Sequence, residues 1–326
     1  MFTTLSAWLY ILFVGIQFSS NNAILPTWIE QTFPKKITHE DALLIKKDNI
    51  TGCKILLCPR TYDYFVYSEA CLKIPTHVEI NGFAINIKTT KITKIYAGDF
   101  DNWPQLLSLN IEMNSELIEI EPGAFNILTN LNNLSISNNY KLKTIEPELF
   151  IGLLNLKELK FIKNNMHQLS EFILSLNPII LPSLTALDIS QNPFDKIKSI
   201  DLIALNNTKI EVLSLKFCGL YEIDADSFAS LIELRELDLS NNNLNSFILS
   251  DLILNLGKTS VNFTKLDIAG NLLNKEPTKL FHAISLTNIT DLVVKDNHFD
   301  LLQPELFPIM TKLIKLDLSN IMAIDI

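Results

Sequence analysis

A nine-residue pattern recurs along most of this 326-residue chain at intervals of 24 to 29 residues. The pattern is Leu-x-x-Leu-x-Leu-x-x-Asn, in which other apolar residues replace some of the leucines. Its nine copies, which we number coils 1 to 9, begin at Leu106, Leu131, Leu156, Leu184, Ile210, Leu234, Phe263, Ile289 and Leu313. A degenerate copy around Ile85 and Ile87 lies one period upstream. Such a repeat predicts a stack in which each unit contacts its neighbours, instead of one globular core.

The spacing inside the pattern predicts how each coil is built. In Leu-x-Leu the period is two, so both aliphatic residues point to one face of a short strand and the intervening residue points to the other. The Asn follows the strand at a turn, where its amide can donate to and accept from buried backbone groups of adjacent coils. We therefore expect an α/β solenoid, a curved horseshoe with a parallel sheet on its concave face and irregular or short helical segments on its convex side.

The charge balance argues against a nucleic-acid ligand. The chain has 27 basic and 36 acidic residues, a net charge of −9. Arg60 and Arg235 are its two arginines, and the lysines are scattered among more numerous acids. No basic stripe is present for a phosphate backbone to follow.

The N-terminus predicts export from the cell. Residues 1–20 carry no charge, and the twelve residues Ala7–Phe18 form an apolar core followed by polar residues. This core is too short to span a bilayer, so we predict a signal peptide over residues 1–23, with an uncleaved anchor as the alternative. Residues 24–52 then form an N-terminal extension. The most apolar later stretch, Phe172–Leu184, is short and contains two prolines, so we expect no membrane span there.

Five acceptor motifs for N-linked glycans fit an extracellular chain. These Asn-x-Ser/Thr motifs begin at Asn49, Asn133, Asn206, Asn262 and Asn288. A chain rich in Asn produces some such motifs by chance, but together with the signal segment they predict a secreted glycoprotein.

Nothing in the sequence predicts catalysis. A phosphate-binding glycine loop, a His-x-x-x-His pair, a Gly-x-Ser-x-Gly elbow and a Cys/His dyad are all missing. The five histidines fall at unrelated positions of the repeat. We therefore expect a non-enzymatic protein without a cofactor or a metal site.

The residues between the two strand aliphatics form the candidate ligand-binding surface, because they face away from the predicted core. This column is acidic in four of the later coils, at Asp188, Asp238, Asp267 and Asp317, and Lys160 belongs to it in coil 3. Two interpretations stay open: a solvent-facing residue suited to this strand, or a ridge that receives a basic or polyhydroxylated partner. A glycan on Asn133 would cover part of the N-terminal half of this face.

The second half of several coils carries a further signature. The segments Ile120-Glu-Pro-Gly-Ala-Phe125, Ile145-Glu-Pro-Glu-Leu-Phe150 and Ile223-Asp-Ala-Asp-Ser-Phe228 follow the Asn turn. Over residues 53–326 the chain resembles the leucine-rich-repeat family, and these segments resemble its extracellular subclass of Toll-type receptors, Slit-like proteins and insect secreted immune proteins. In that subclass the Phe fills the interior beneath the convex side.

Three of the four cysteines precede the repeats, and the passage from Cys58 to Cys71-Leu-Lys-Ile-Pro75 resembles the cysteine flank that caps such proteins. The resemblance implies a cap over residues 53–81, repeats over residues 82–326, and a disulfide between Cys58 and Cys71. Cys53 is then free, paired instead with Cys71, or bridged to a second chain. Trp103 either anchors this cap or fills the core.

The fourth cysteine, Cys218, occupies the Asn position of coil 5, where a small buried thiol is an acceptable substitute. We expect it to be structural and unpaired. The alternative, a reactive thiol, lacks a nearby base in the sequence.

The chain is expected to end without a C-terminal cap, inside a coil at Ile326, which favours a truncated product over an open end buried against another chain. The sequence as a whole predicts a secreted protein that binds a protein or glycan in immunity, adhesion or guidance. The alternatives are the N-terminal part of a Toll-like or adhesion receptor ectodomain at the cell surface, and a matrix component that assembles through Cys53 or the open C-terminal end.

Overall fold

The computed structural model describes residues 43–58, 63–78, 82–273, 277–301 and 307–325. The expected signal peptide and most of the N-terminal extension lie outside these residues. The strands are β1 Leu43–Lys47, β2 Lys54–Cys58, β3 Asp63–Ser68, β4 Ala84–Thr90, β5 Lys94–Ile95, β6 Ser108–Glu112, β7 Glu119–Ile120, β8 Asn133–Ser137, β9 Glu158–Ile162, β10 Ala186–Asp188, β11 Lys196–Ile197, β12 Val212–Ser214, β13 Glu222–Ile223, β14 Glu236–Asp238, β15 Lys265–Asp267, β16 Asp291–Val293, β17 His298–Leu301, β18 Lys315–Asp317 and β19 Met322–Asp325.

One main sheet runs the length of the described chain and confirms the predicted solenoid. It contains thirteen strands, in the order β1-β2-β3-β4-β6-β8-β9-β10-β12-β14-β15-β16-β18. The first three strands are antiparallel, and every pairing from β3 onward is parallel. Each coil contributes one strand, and the two aliphatic residues of Leu-x-Leu are buried, as Leu237 and Leu239 are at 2% and 0% exposure. Equivalent positions of the repeat therefore lie side by side in the sheet, as the sequence pattern predicts.

The convex side differs from coil to coil. Some coils return through turns and pair only two residues with the next coil, as in β5–β7 and β11–β13. The two longest repeats, coils 3 and 6, carry the helices α1 Leu169–Leu174 and α2 Ser246–Thr259, and coil 7 carries α3 Pro277–Ser285. Asn245 caps α2 by accepting from the backbone N–H groups of Phe247 and Ile248, each at 3.0 Å. None of the helices in these described ranges is long and apolar enough to cross a membrane.

Phenylalanines fill the space beneath the convex side, as the resemblance implied. Phe125, Phe150 and Phe228 are at most 1% exposed. The rings of Phe100 and Phe125 lie 5.7 Å apart, and those of Phe150 and Phe172 lie 6.4 Å apart in an edge-to-face arrangement. Contacts of this kind add to the free energy gained from burying the rings.

The buried Asn residues connect successive coils as the sequence predicts. The amide oxygen of Asn164 accepts the backbone N–H of Asn139 at 3.0 Å, and its amide nitrogen donates to the carbonyl of Ile136 at 2.7 Å. The same pair of bonds joins Asn139 to coil 1 and Asn114 to β4. Polar backbone groups at each turn are thereby satisfied inside the core.

Cys218 takes the Asn position in coil 5 and is free and fully buried. Its thiol lies 3.6 Å from the carbonyl of Ile189, where an Asn would donate. Its own backbone N–H is still accepted by Asn242 at 2.9 Å. Burial raises the pKa of the thiol to about 12, so the predicted structural role is confirmed.

The disulfide joins Cys53 to Cys71, so the pairing of Cys58 with Cys71 was wrong. Strands β2 and β3 form an antiparallel pair in which Lys54 opposes Tyr67 and Cys58 opposes Asp63. Cys53 and Cys71 therefore flank one end of this pair, with Cα atoms 4.2 Å apart. Cys58 is at the other end, roughly 16 Å along the strand, which is too far for a disulfide to Cys71.

This pairing removes Cys53 as a free thiol or as a bridge to a second chain. The side chain of Cys58 lies outside the described residues. Strand β1, which falls within the stretch expected to be an N-terminal extension, pairs with β2 and so belongs to the cap sheet.

Both roles suggested for Trp103 hold. The side chain is fully buried, and its indole N–H donates to the carbonyl of Val78 in the cap at 3.0 Å. Its ring packs edge-on against Phe100 with centroids 5.8 Å apart. Trp103 thus joins the cap to the interior of the first regular coil.

Candidate ligand-binding surface

The middle residues of the strands form one straight row on the concave face. Parallel register aligns Lys160 with Asp188, Asp188 with Ser214, and Ser214 with Asp238. The row continues through Asp267 and Val293 to Asp317. The structure therefore places all five concave residues named from the sequence on one surface, but it makes neighbours of only two acids, Asp238 and Asp267.

Each acid of this row is tied to its own turn. One carboxylate oxygen of Asp188 accepts the backbone N–H of Ser190 at 3.0 Å. Asp238, Asp267 and Asp317 accept in the same way from the residue two positions further on, at 2.8, 2.9 and 2.9 Å. These bonds satisfy the backbone where the strand ends, which supports the interpretation of Asp as a residue suited to this strand. The second carboxylate oxygen remains for other contacts.

Asp267 is the acid of this row whose ionisation is affected by its neighbour. Burial raises the pKa of Asp267, and the neighbouring carboxylate of Asp238 raises it further. Lys216 and Lys295 oppose this effect from positions just beyond the strands. At the edge of the row, hydrogen bonds from Ser319 lower the pKa of Asp317. The row is therefore not a uniformly acidic ridge.

Sequence reasoning missed the two rows that flank this one. The preceding row contains ion pairs between adjacent coils, Glu236 with Lys265 at 2.5 Å and Asp291 with Lys315 at 2.9 Å. Lys160 is also paired, with Glu158 at 2.7 Å. Taking the residues two positions before and after the middle residue would have found these charges, because alternate strand residues share a face. The C-terminal half of the face thus mixes both signs.

The N-terminal half of the concave face is mostly polar and uncharged. Asn110 donates to the amide oxygen of Asn86 at 2.7 Å, and the hydroxyls of Ser135 and Ser137 lie 3.0 Å apart. Asn133, a predicted glycan acceptor, is exposed in the row that precedes the middle row, two positions before Ser135. The acceptors Asn49, Asn206 and Asn262 are also exposed, whereas Asn288 is half-buried and donates to the carbonyl of Val261 at 2.9 Å.

These observations define a leucine-rich-repeat solenoid whose concave sheet is not covered by any other part of the chain that the structure describes. Residues 104–166 match the leucine rich repeat family, and coils of the same construction continue on both sides of that segment. The chain therefore has the leucine-rich-repeat fold. No curated protein sequence matches it significantly.

Solved structures show the same fold. Human 5T4 (Wnt-activated inhibitory factor 1, trophoblast glycoprotein) is similar with a TM-score of 0.60 and 20% identity, over 72% of this chain and 87% of that one. Drosophila Toll, from its complex with Spatzle, is similar with a TM-score of 0.55 and 14% identity, over 87% of this chain. The match covers 48% of that Toll chain, so this protein spans about half of its length.

Proposed function

We propose that this protein is an extracellular, non-enzymatic binding protein that recognises a protein ligand on its concave sheet. One observation carries the proposal. Parallel sheets are ordinarily covered on both faces. Among the described residues, none covers the face that carries Lys160, Asp188 and Asp238, and this face is lined with polar and charged side chains. A rigid surface of this kind, on which every side chain is positioned by the register, is suited to recognition.

The charge pattern favours a protein over a glycan as the ligand. Acids and lysines alternate over short distances in the C-terminal half, as in the neighbours Asp267 and Lys265. A protein surface can present complementary charges of both signs, whereas a neutral polyhydroxylated chain cannot. The N-terminal half would be partly covered by a glycan on Asn133. We therefore expect the ligand to contact coils 4 to 9.

The signal segment, the glycan acceptors and the disulfide in the cap support an extracellular location. The fold shared with Toll and human 5T4 is consistent with it. Expression in a secretory cell line tests the location directly. We expect the chain in the medium, with a gel mobility that increases on enzymatic removal of N-linked glycans. Retention inside the cell without glycans would contradict it.

Replacing the four acids with asparagine tests the concave surface. Asn keeps the side-chain oxygen that accepts the turn N–H, so Asp188→Asn, Asp238→Asn, Asp267→Asn and Asp317→Asn together should remove charge while preserving the fold. The matched control removes four exposed acids elsewhere, with Glu146→Gln, Glu148→Gln, Glu233→Gln and Asp251→Asn.

Both variants are to be screened as multimers against an array of secreted proteins and ectodomains. We expect a ligand of the wild-type chain to bind the concave variant at least about tenfold more weakly, because loss of complementary charges costs roughly 1–2 kcal/mol or more. The control variant should bind as the wild type does. Equal binding by both variants would place recognition away from the concave face.

The likeness to Toll favours a second candidate, the ectodomain of a signalling receptor. A membrane helix encoded downstream in the full transcript would support this candidate. A stop codon directly after Ile326 would exclude it.

A further inference from the structure

Exposed aromatic side chains lie on one flank of the solenoid, next to the concave face. We define this descending flank as residues 137–145, 162–169, 190–197 and 216–223, which follow the concave strands of coils 2 to 5. Tyr140, Phe217 and Tyr221 on it are 49%, 52% and 48% exposed. Aromatic side chains this exposed leave a large apolar area in contact with water, and aromatic residues are enriched at protein interfaces.

Each of these aromatic rings has a lysine ammonium over it. Lys163 lies 5.7 Å from the ring centre of Tyr140, Lys216 lies 5.5 Å from that of Phe217, and Lys196 lies 5.0 Å from that of Tyr221. The Tyr140 pair joins coils 2 and 3, and the Tyr221 pair joins coils 4 and 5. Cation–π contacts hold the lysines beside the rings, so charge and apolar surface are presented together.

The descending flank is basic in an acidic protein. It holds five lysines and two acids, a formal charge of +3, while the whole chain carries −9. Two of the lysines are already paired, Lys141 with Glu116 and Lys196 with Glu222. Within the ranges described, no ion pair joins Lys143, Lys163 or Lys216 to a carboxylate. This flank therefore attracts an acidic partner by charge complementarity.

Phe217 also occupies a backbone position that suits it poorly. The residue directly before the Asn position of each coil, and its equivalent in the upstream degenerate copy, is left-handed, with φ between 50° and 60°. The residues at this position are Thr89, Met113, Asn138, Lys163, Gln191, Phe217, Asn241, Gly270, Asp296 and Asn320. Asn, Asp and Gly tolerate this conformation, whereas a bulky aromatic residue is strained there. The ring packs only partly within the chain, because about half of its surface is exposed.

We propose that the descending flank is a second interaction surface, which adjoins the concave sheet at Lys216, and that it binds an acidic protein segment carrying apolar side chains. Phe217 is its apolar anchor, and Lys163 and Lys216 supply the charge. A protein segment fits better than a polyanionic polysaccharide, because only a protein buries the three rings against apolar groups of its own. A charge of +3 alone is small for holding a polyanion.

Phe217→Asn tests the anchor without threatening the fold. Asn stands at the equivalent left-handed position of coils 2, 6 and 9, so the variant should have an equal or higher midpoint of thermal unfolding. The double variant Lys163→Gln and Lys216→Gln removes the charge and keeps an unbranched polar side chain. The concave variant with four Asp→Asn substitutions serves as the control, because it leaves the flank unchanged.

The probe is a phage-displayed library of random dodecapeptides, selected on the full wild-type chain and counter-selected on the Phe217→Asn variant. We expect the recovered peptides to combine Asp or Glu with Phe, Leu or Trp. Binding to Phe217→Asn and to the lysine double variant should each be at least about fivefold weaker, as for interface residues worth more than 1 kcal/mol. The concave control should bind these peptides at least as tightly as the wild type, because it keeps every residue of the flank and removes a carboxylate that interacts with Lys216.

Three results would overturn the proposal. The first is recovery of peptides without acidic enrichment, or of no peptides that depend on Phe217. The second is tight binding of a heparin octasaccharide that the lysine variant loses and Phe217→Asn retains, since this indicates a simple polyanion site. The third is unfolding of Phe217→Asn, which would make the ring a structural residue. The proposed binding of a protein ligand by the concave sheet is tested separately and does not depend on any of these three results.

Discussion

Asn242 shows how much a single buried amide contributes to this fold. Its oxygen accepts the backbone N–H groups of Cys218 and Leu220 at 2.9 and 3.0 Å, and its nitrogen donates to the carbonyl of Leu215 at 3.0 Å. The adjacent Asn243 is exposed. Two neighbouring residues of the same type thus differ in whether they satisfy the backbone of another coil.

We predict that Asn242→Ala lowers the free energy of unfolding by about 3 kcal/mol or more, because it leaves several buried backbone groups unpaired at about 1–3 kcal/mol each. The matched variant Asn243→Ala should stay within about 0.5 kcal/mol of the wild type. Urea denaturation followed by circular dichroism measures both. Similar losses of unfolding free energy in the two variants would show that the buried Asn residues joining successive coils add nothing to stability beyond what an exposed Asn adds.

Cys218 predicts a pH dependence whose sign follows from its burial. The pKa of the folded thiol is raised from 9.0 to about 12. The neutral thiol is therefore favoured by folding: its contribution to stability is complete below pH 9 and is lost as the pH rises toward 12. Relative to Cys218→Ser, which does not titrate, the wild type should lose up to about 1.4 kcal/mol per pH unit above pH 9. Denaturation curves at pH 8, 9 and 10 measure the free energy of unfolding of both proteins. An equal loss of stability in the wild type and in Cys218→Ser above pH 9 would contradict the prediction.

At the scale of elements, the antiparallel pair β2–β3 determines the disulfide. The family pattern around Cys58 and Cys71 suggested one pairing, but the hairpin places Cys53 beside Cys71. The turn before β2 is further fixed by Gly52, since a side chain there would meet the carbonyl oxygen of Ala70 at 2.0 Å. The lesson is that strand pairing, and not spacing along the chain, decides which cysteines meet.

Tryptic digestion of the non-reduced protein distinguishes the two pairings. Cleavage after Lys54 and Arg60 separates all three cysteines. We expect the peptide Asp48–Lys54 joined to Thr61–Lys73, with a mass that separates into two on reduction. A joined Ile55–Arg60 and Thr61–Lys73 would restore the pairing implied by the cysteine flank. The intact bond should contribute about 3 kcal/mol, as a loop of this size does in the chain-entropy account.

Across the whole molecule, the stability of each coil depends on having a neighbour on both sides. The first aliphatic residue of Leu-x-Leu is buried in nearly every coil, as Leu266 is at 2% exposure. Its counterpart in coil 9, Leu316, is 40% exposed because only coil 8 packs against it among the described residues. Stability in such a stack is a sum of contacts between nearest neighbours.

We predict that Leu266→Ala lowers the free energy of unfolding by about 2–5 kcal/mol, the usual cost of a cavity in a packed core. Leu316→Ala, the same substitution in the same register, should cost less than about 1 kcal/mol because less apolar surface is lost. Thermal and urea denaturation of the two variants measures the difference. Equal costs would mean that coil 9 is covered in solution, for instance by a second copy of the chain.

Sequence alone determined the features that depend on local spacing. The inward leucine rows, the Asn ladder and the convex phenylalanines follow from the repeat, because a strand alternates its faces and each buried polar group needs a partner. The fold and the concave row with Asp188 and Asp267 were therefore predictable. Only the tertiary structure decided what depends on contacts between coils: the Cys53–Cys71 bond, the lysines beside the acidic row, and the aromatic–lysine flank around Phe217. Residues about 25 positions apart become neighbours only when the stack forms, and a single coil does not specify which charges or rings will meet.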